Sequence, residues 1–203
     1  MRVKDMFLKN EINLCNVFFI IFLLFSFKVN SETEDKSKIL NYLNSLNNFS
    51  ASFIQIDGED LSEGKVYIGK KRVRAEYYSP TKILIILDED KAMYYNYELE
   101  EDEFFDPKDT NAWFFYDIFR NPFFFDNGLI ELKNNELMLE KRVLRNVDEN
   151  YYIRVYFEKK PLTLRAIELI INEDSLKLSI YNHAFNEEYD DNFFKLINPN
   201  FFN

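Results

Sequence analysis

The stretch from Asn48 to Pro80, NFSASFIQIDGEDLSEGKVYIGKKRVRAEYYSP, most constrains what this chain can fold into. Phe49, Ala51 and Phe53 alternate with Ser50, Ser52 and Ile54. Val66 and Ile68 alternate with Lys65, Tyr67 and Gly69, and Val73, Ala75 and Tyr77 alternate with Arg72, Arg74 and Glu76. A period of two puts neighbouring side chains on opposite faces of a strand, so three short strands are expected, each with an apolar face. Asp57-Gly58 and Glu63-Gly64 punctuate them as turn residues that accept a positive φ.

The rest of the chain extends this sheet or covers it. Lys82 to Leu87, KILIIL, is apolar on both faces, which predicts a buried central strand. Ala92 to Leu99 resumes a strand, and Glu98 to Glu103 is read as a solvated acidic loop. Segments 129–132, 137–144, 151–157, 162–171 and 176–185 read as further strands joined by short polar turns, hence antiparallel. So many strands exceed a small flat sheet, so the expected fold is mainly β: a strongly curved antiparallel sheet or incomplete barrel with a few helices.

Two segments carry helical spacing instead. In Glu34 to Leu46, Ile39, Leu40, Leu43 and Leu46 make one apolar face, and Ser31 with Glu34 offers a capping box. In Asn111 to Arg120, Trp113, Phe114, Tyr116, Ile118 and Phe119 recur before Asn121-Pro122 breaks the pattern, and Phe123, Phe124 and Phe125 follow. That is more aromatic surface than one helix face hides. The element either plugs the sheet as core or acts as a short lid over an apolar cavity. Aromatic residues make up 18% of the chain, 22 of them Phe, which suits a packed core or a cavity for apolar ligands.

Residues 1–31 read as a leader. Arg2, Lys4 and Lys9 precede the apolar run Leu14 to Phe27, which is shorter than the roughly 20 residues of a membrane span. Val29-Asn30-Ser31 then offers a cleavage site, so cleavage is expected near Ser31, leaving a single domain over 32–203 and placing it in an exported compartment. The sole cysteine, Cys15, lies at the start of the apolar run, so the mature chain is expected to have no disulfide, thiol nucleophile or thiolate metal site.

Little else points to covalent chemistry. The net charge of −10 argues against a nucleic-acid partner. The four glycines form no phosphate-cradling loop, and the one histidine, His183, has no second ligand at metal spacing. No metal, cofactor or catalytic residue is expected.

Three motifs in order, Ala51-Ser52-Phe53-Ile54-Gln55, Glu63-Gly64-Lys65-Val66-Tyr67-Ile68 and Arg74-Ala75-Glu76-Tyr77-Tyr78-Ser79-Pro80, resemble the outer-membrane lipoprotein carrier protein (LolA) family. Asp88, Tyr95, Leu99 and Glu100 also fall in the family's register, with Met93 where it has Trp, Glu89 where it has Gly and Tyr97 where it has Pro. Pro161-Leu162-Thr163-Leu164-Arg165 and Phe194-Lys195-Leu196-Ile197-Asn198-Pro199 are similar to its closing pattern. The resemblance implies a non-enzymatic, monomeric periplasmic carrier under a helical lid. It would take lipoprotein acyl chains from an inner-membrane lipoprotein-releasing ABC transporter and deliver them to an outer-membrane receptor. The cavity is expected from Phe53, Val66, Ile68, Tyr77, Ile85, Phe114 and Phe119. The family's lid latch is an Arg whose register falls on Lys70, with Arg72 and Arg74 as nearby candidates. Other readings are a lipid-binding or lipoprotein-sensing protein of the same fold, or a lipid or glycan hydrolase.

Overall fold

The computed structural model describes residues 32–133, 136–146 and 149–202. The predicted leader, with Cys15 and the Ser31 cap, lies outside them. From Lys36 onward the elements belong to one compact unit, Lys36–Asn203.

Helix α1 covers 32–45, and six strands follow: β1 (Phe49–Asp57), β2 (Asp60–Ile68), β3 (Val73–Ser79), β4 (Ile83–Leu87), β5 (Ala92–Asn96) and β6 (Glu101–Phe105). A 3-10 turn, Pro107–Asp109, leads into helix α2 (Ala112–Arg120). Then come β7 (Leu129–Lys133), β8 (Glu136–Asn146), β9 (Glu149–Lys159), β10 (Leu162–Ile171) and β11 (Asp174–Ala184). All eleven strands form one antiparallel sheet in the order β6-β5-β4-β3-β2-β1-β11-β10-β9-β8-β7. The strands β6 and β7 are its two edges, so the sheet is not closed.

Its curvature follows from what faces what. Phe105 of β6 and Ile167 of β10 line one cavity. In a flat sheet these strands would be seven spacings, about 34 Å, apart. Bulges at Ser50/Ser52, Glu63/Gly64 and Leu164/Ala166 supply local bends. The alternation in β1 and β2 puts Phe49, Ala51, Phe53, Val66 and Ile68 inside. From α1, Ile39, Leu43 and Leu46 join the same core, as their helical spacing predicts.

Two local readings are corrected. Glu63-Gly64 is no turn but the middle of β2, beside the bulge; the turn falls later, where Gly69 N–H donates to the Arg72 carbonyl (2.9 Å). Gly64 is needed for proximity. A Cβ there would lie 2.3 Å from the Glu76 carbonyl oxygen and 2.5 Å from the Phe53 ring. Gly58, by contrast, has φ +59° in the β1–β2 hairpin. The acidic run, read as a loop, is partly a strand. The Asn96 carboxamide oxygen accepts from the Glu98 and Leu99 N–H groups, Glu100 takes φ 57°, and the chain turns back so that Glu101–Phe105 pairs with β5. Exposed Glu101, Asp102 and Glu103 there blunt an open sheet edge against pairing with another chain.

The segment after β11 runs across the outer face of β2–β5. Arg74 donates to the Phe193 carbonyl (2.6 Å) and lies over the Phe193 ring, and Arg72 donates to the Phe194 carbonyl (3.0 Å). Tyr67, Tyr189, Phe193 and Phe194 pack ring against ring. Leu196 covers a second small core of Leu84, Ile86, Met93 and Tyr95. Arg74→Ala would strip this tail of a charge-assisted bond and a cation–π contact, together about 2 kcal/mol. Limited proteolysis should then cut within 185–202 while the sheet survives; a tail that stays protected would show that the aromatic packing and the Arg72 bond to Phe194 hold it without Arg74.

Candidate binding site

The inner face of the sheet and one side of α2 enclose a cavity of about 290 Å³. The sheet contributes Phe53 and Gln55 (β1), Val66 (β2), Val73, Ala75 and Tyr77 (β3), Ile85 and Leu87 (β4), Ile167 (β10) and Leu176, Leu178 and Ile180 (β11). Ala112, Phe115 and Phe119 of α2, at spacing i, i+3, i+7, close it from above. Helix α2 therefore divides its aromatic surface. Phe114 and Ile118 face the core, where the Phe114 ring meets Tyr151 of β9 at 5.3 Å, while Trp113, Tyr116 and Asp117 border a second, polar pocket with Glu89 and Lys108.

Polar groups are few on the cavity wall. Tyr77 donates its hydroxyl to the Gln55 carboxamide oxygen (2.8 Å), and its ring stands edge-on to Phe53 at 5.1 Å. Burial pushes the Tyr77 phenol up to about 12, so it remains a donor at any physiological pH. Thr110, on the α2 side of the wall, is already satisfied: it donates to the Pro107 carbonyl and accepts from the Ala112 N–H. Among the described residues no group of three or more His, Cys, Asp or Glu is placed to hold a metal ion.

Among the described residues, α2 and the segment after it are held by three cations on backbone carbonyls. Arg120, in the last helical turn, donates from Nη2 to the Leu46 carbonyl (2.5 Å). From Nη1 it donates to Asn47 Oδ1 (2.7 Å) and to the carbonyls of Gly69 (2.9 Å) and Lys70 (3.3 Å). Burial lowers its pKa, but a guanidinium starts high enough to stay charged. Lys36 of α1 donates to the Asp126 (2.6 Å) and Gly128 (2.9 Å) carbonyls, and Lys141 of β8 donates to the Phe124 carbonyl. Two buried nitrogens on α2, Trp113 Nε1 and Arg120 Nε, have no hydrogen-bond partner among the described residues.

Of the residues expected from sequence, Phe53, Val66, Tyr77, Ile85 and Phe119 stand together on the cavity wall. Ile68 and Phe114 are fully buried in the adjoining core. The expected latch trio is dispersed. Lys70 meets α2 through its backbone carbonyl, which accepts from Arg120. Arg72 pairs with Asp88 (2.6 Å) and Arg74 with Glu76, and both reach the C-terminal tail on the outer face, since Val73 and Ala75 of the same strand point inward. Sequence reading missed Arg120, Lys36 and Lys141. The only local sign of Arg120 is a basic residue in a helix's last turn, and its partners lie 50 and 74 positions away.

The family model described as outer membrane lipoprotein carrier protein LolA matches residues 44–116, from the end of α1 through β6 into α2. The resemblance seen in the first three motifs is thus carried by this span; the likeness over 161–199 lies beyond it. No curated protein matches the chain. Among solved structures, an uncharacterized conserved protein from Thermus thermophilus aligns with a TM-score of 0.53 at 12% identity, over 76% of this chain and 90% of that one. MucB in complex with MucA(peri) aligns at 0.45 and 10%, over 80% of this chain and 58% of that one. The Pseudomonas aeruginosa MucA/MucB complex aligns at 0.44 and 9%, over 79% and 59%. At 12% identity the likeness to the Thermus thermophilus protein is one of fold.

Proposed function

We propose that this chain is a carrier of acylated cargo, and specifically a periplasmic lipoprotein carrier. The observation that carries the reading is the carbon-lined cavity between a curved sheet and one short helix, whose wall from Phe53 to Phe115 belongs to the span that matches the carrier family, while Phe119, β10 and β11 complete it from outside that span. At roughly 30 Å³ per water-sized group, 290 Å³ takes on the order of ten methylenes. At about 0.8 kcal/mol each, they contribute roughly 8 kcal/mol before the costs of association, which suits reversible holding. A whole lipid anchor is larger than that, so loading requires α2 to lift. The helix is short, ends at Asn121-Pro122, and would hydrate Trp113 Nε1 and Arg120 Nε as it opens.

In this reading the mature chain starts near residue 32. It works as a monomer, receives lipoprotein from an inner-membrane ABC transporter, surrenders it to an outer-membrane receptor, and needs no cofactor. The test is release: the chain from residue 32 is incubated with spheroplasts containing the transporter of the same species, and the supernatant is assayed for lipoprotein. Soluble one-to-one complexes that depend on intact acyl chains are expected. No release would leave a lipid-binding protein without shuttle activity.

Phe119→Glu tests the lid directly. A carboxylate on the cavity face of α2 should weaken binding of a neutral apolar dye such as Nile red by more than about tenfold while far-UV circular dichroism stays native. Global unfolding would mean that α2 is core rather than lid.

A further inference from the structure

Among the described residues, the cavity wall has one uncommitted hydrogen-bond donor on its sheet side, and its surroundings say what kind of ligand it takes. Gln55 lies near the end of β1, on the inward register of Phe49, Ala51 and Phe53, two residues before the exposed Asp57. It accepts a hydrogen bond at Oε1 from Tyr77. That bond orients the carboxamide and leaves both Nε2 hydrogens free for a ligand. Leu178, opposite Gln55 in the register, and Tyr77 and Phe53 beside it make the sheet wall around it largely apolar, and the other polar lining residues, Thr110 and Asn111, stand on the α2 side.

A donor on an apolar wall selects for an acceptor at one end of an apolar ligand. The charge nearby decides between an anionic and a neutral acceptor. The turns that adjoin this end of β1 and β11 form a surface hollow lined by Ile56, Asp57, Gly58, Glu173, Asp174 and Ser175, with three carboxylates and no base. A carboxylate ligand would meet like charge there, whereas an ester carbonyl would not.

We propose that Gln55, positioned by Tyr77, is the headgroup-side selectivity residue of the cavity: its Nε2 donates to the carbonyl of an ester-linked acyl chain, whose tail runs inward past Phe53 toward Phe119. This deepens the carrier reading and rests on it. The chain is held by its ester end as well as by its carbons, and free fatty acid, a competitor wherever membranes turn over, is rejected.

The probe is methyl octanoate carrying a 13C carbonyl, short enough for the closed cavity, with octanoate for comparison at pH 7. Binding is followed by displacement of Nile red, and the bond by the infrared carbonyl stretch of the bound ester. The wild-type stretch should sit below that of the ester in hexane. Gln55→Leu should return it to the hexane position and weaken ester binding roughly 3- to 10-fold, the effect of one hydrogen bond. Tyr77→Phe, which keeps the ring and frees the carboxamide to rotate, should broaden the band and weaken binding about twofold. Octanoate should bind at least about tenfold more weakly than the ester. A stretch unchanged between wild type and Gln55→Leu, or octanoate binding as tightly as ester, overturns this inference and leaves the carrier reading standing. An ester that displaces no dye overturns both.

Discussion

Arg120→Met is expected to release α2 without unfolding the sheet. The guanidinium ties the helix to Leu46, Asn47, Gly69 and Lys70 at once. Methionine keeps much of the packing volume and loses every donor. Charge-assisted bonds of this kind contribute about 1.5 to 3 kcal/mol each, partly offset by water once the carbonyls are exposed. A net loss of about 3 kcal/mol from the closed state corresponds to roughly a hundredfold rise in opening. Hydrogen exchange should therefore accelerate about that much at the α2 amides while those of β1–β3 remain at their wild-type rates, and Nile red should gain faster access. Uniform acceleration across the sheet would identify α2 as structural core. Arg120→Lys should recover only part of the effect, because one ammonium cannot span carbonyls contributed by the end of α1 and the turn after β2.

Gly64→Ala is expected to be the most damaging small substitution in the sheet. The added methyl would lie 2.3 Å from the Glu76 carbonyl oxygen and 2.5 Å from the Phe53 ring, and the first of these is backbone that cannot swing aside. Overpacking in well-packed cores costs typically 1 to 3 kcal/mol, and two such contacts at one atom put the cost near the top of that range, about 3 kcal/mol. Urea denaturation should show the midpoint falling with little change in slope. A second effect is specific to the cavity: Phe53, displaced from above Gly64, would move against Tyr77 and into the space where the acyl chain is proposed to run. The double variant Gly64→Ala, Phe53→Leu should be less destabilised than the sum of the two single changes, because the smaller side chain can yield to the methyl. Strict additivity would place the whole cost on the Glu76 carbonyl.

The two substitutions mark different kinds of information in the chain. Alternating residues in β1, β2 and β3, the doubly apolar run of β4 and the turn punctuation between β7 and β11 are legible as strands, because the side-chain period of a strand is local. The helix faces of α1 and α2 are legible for the same reason. Antiparallel pairing follows from short connections, and curvature from strand number. Gly64 reads as a turn in the bare chain because a glycine's sequence neighbours do not say whether it serves a positive φ or the close approach of a ring from the next strand. The edge strand β6 escapes a sequence reading because its charges look like a loop; it pairs only because Asn96 and Glu100 turn the chain back onto β5.

The binding site divides along the same line. Aromatic and aliphatic residues at inward positions announce an apolar interior, but not which of them are walled into solid core, as Ile68 and Phe114 are, and which border space, as Phe53 and Phe119 do. That depends on where eleven strands and a helix fail to meet, a property of the assembled volumes. Arg72 and Arg74 are recognisable as cations on a strand, yet the face they occupy and the tail they hold come only from the fold. Arg120 likewise becomes visible as the clasp of α2 only once residues 46, 47, 69 and 70 are brought around it. Periodicity is written in neighbouring residues and so survives in the bare chain; cavities and clasps are made by residues far apart in sequence, and exist only after packing has chosen which of them meet.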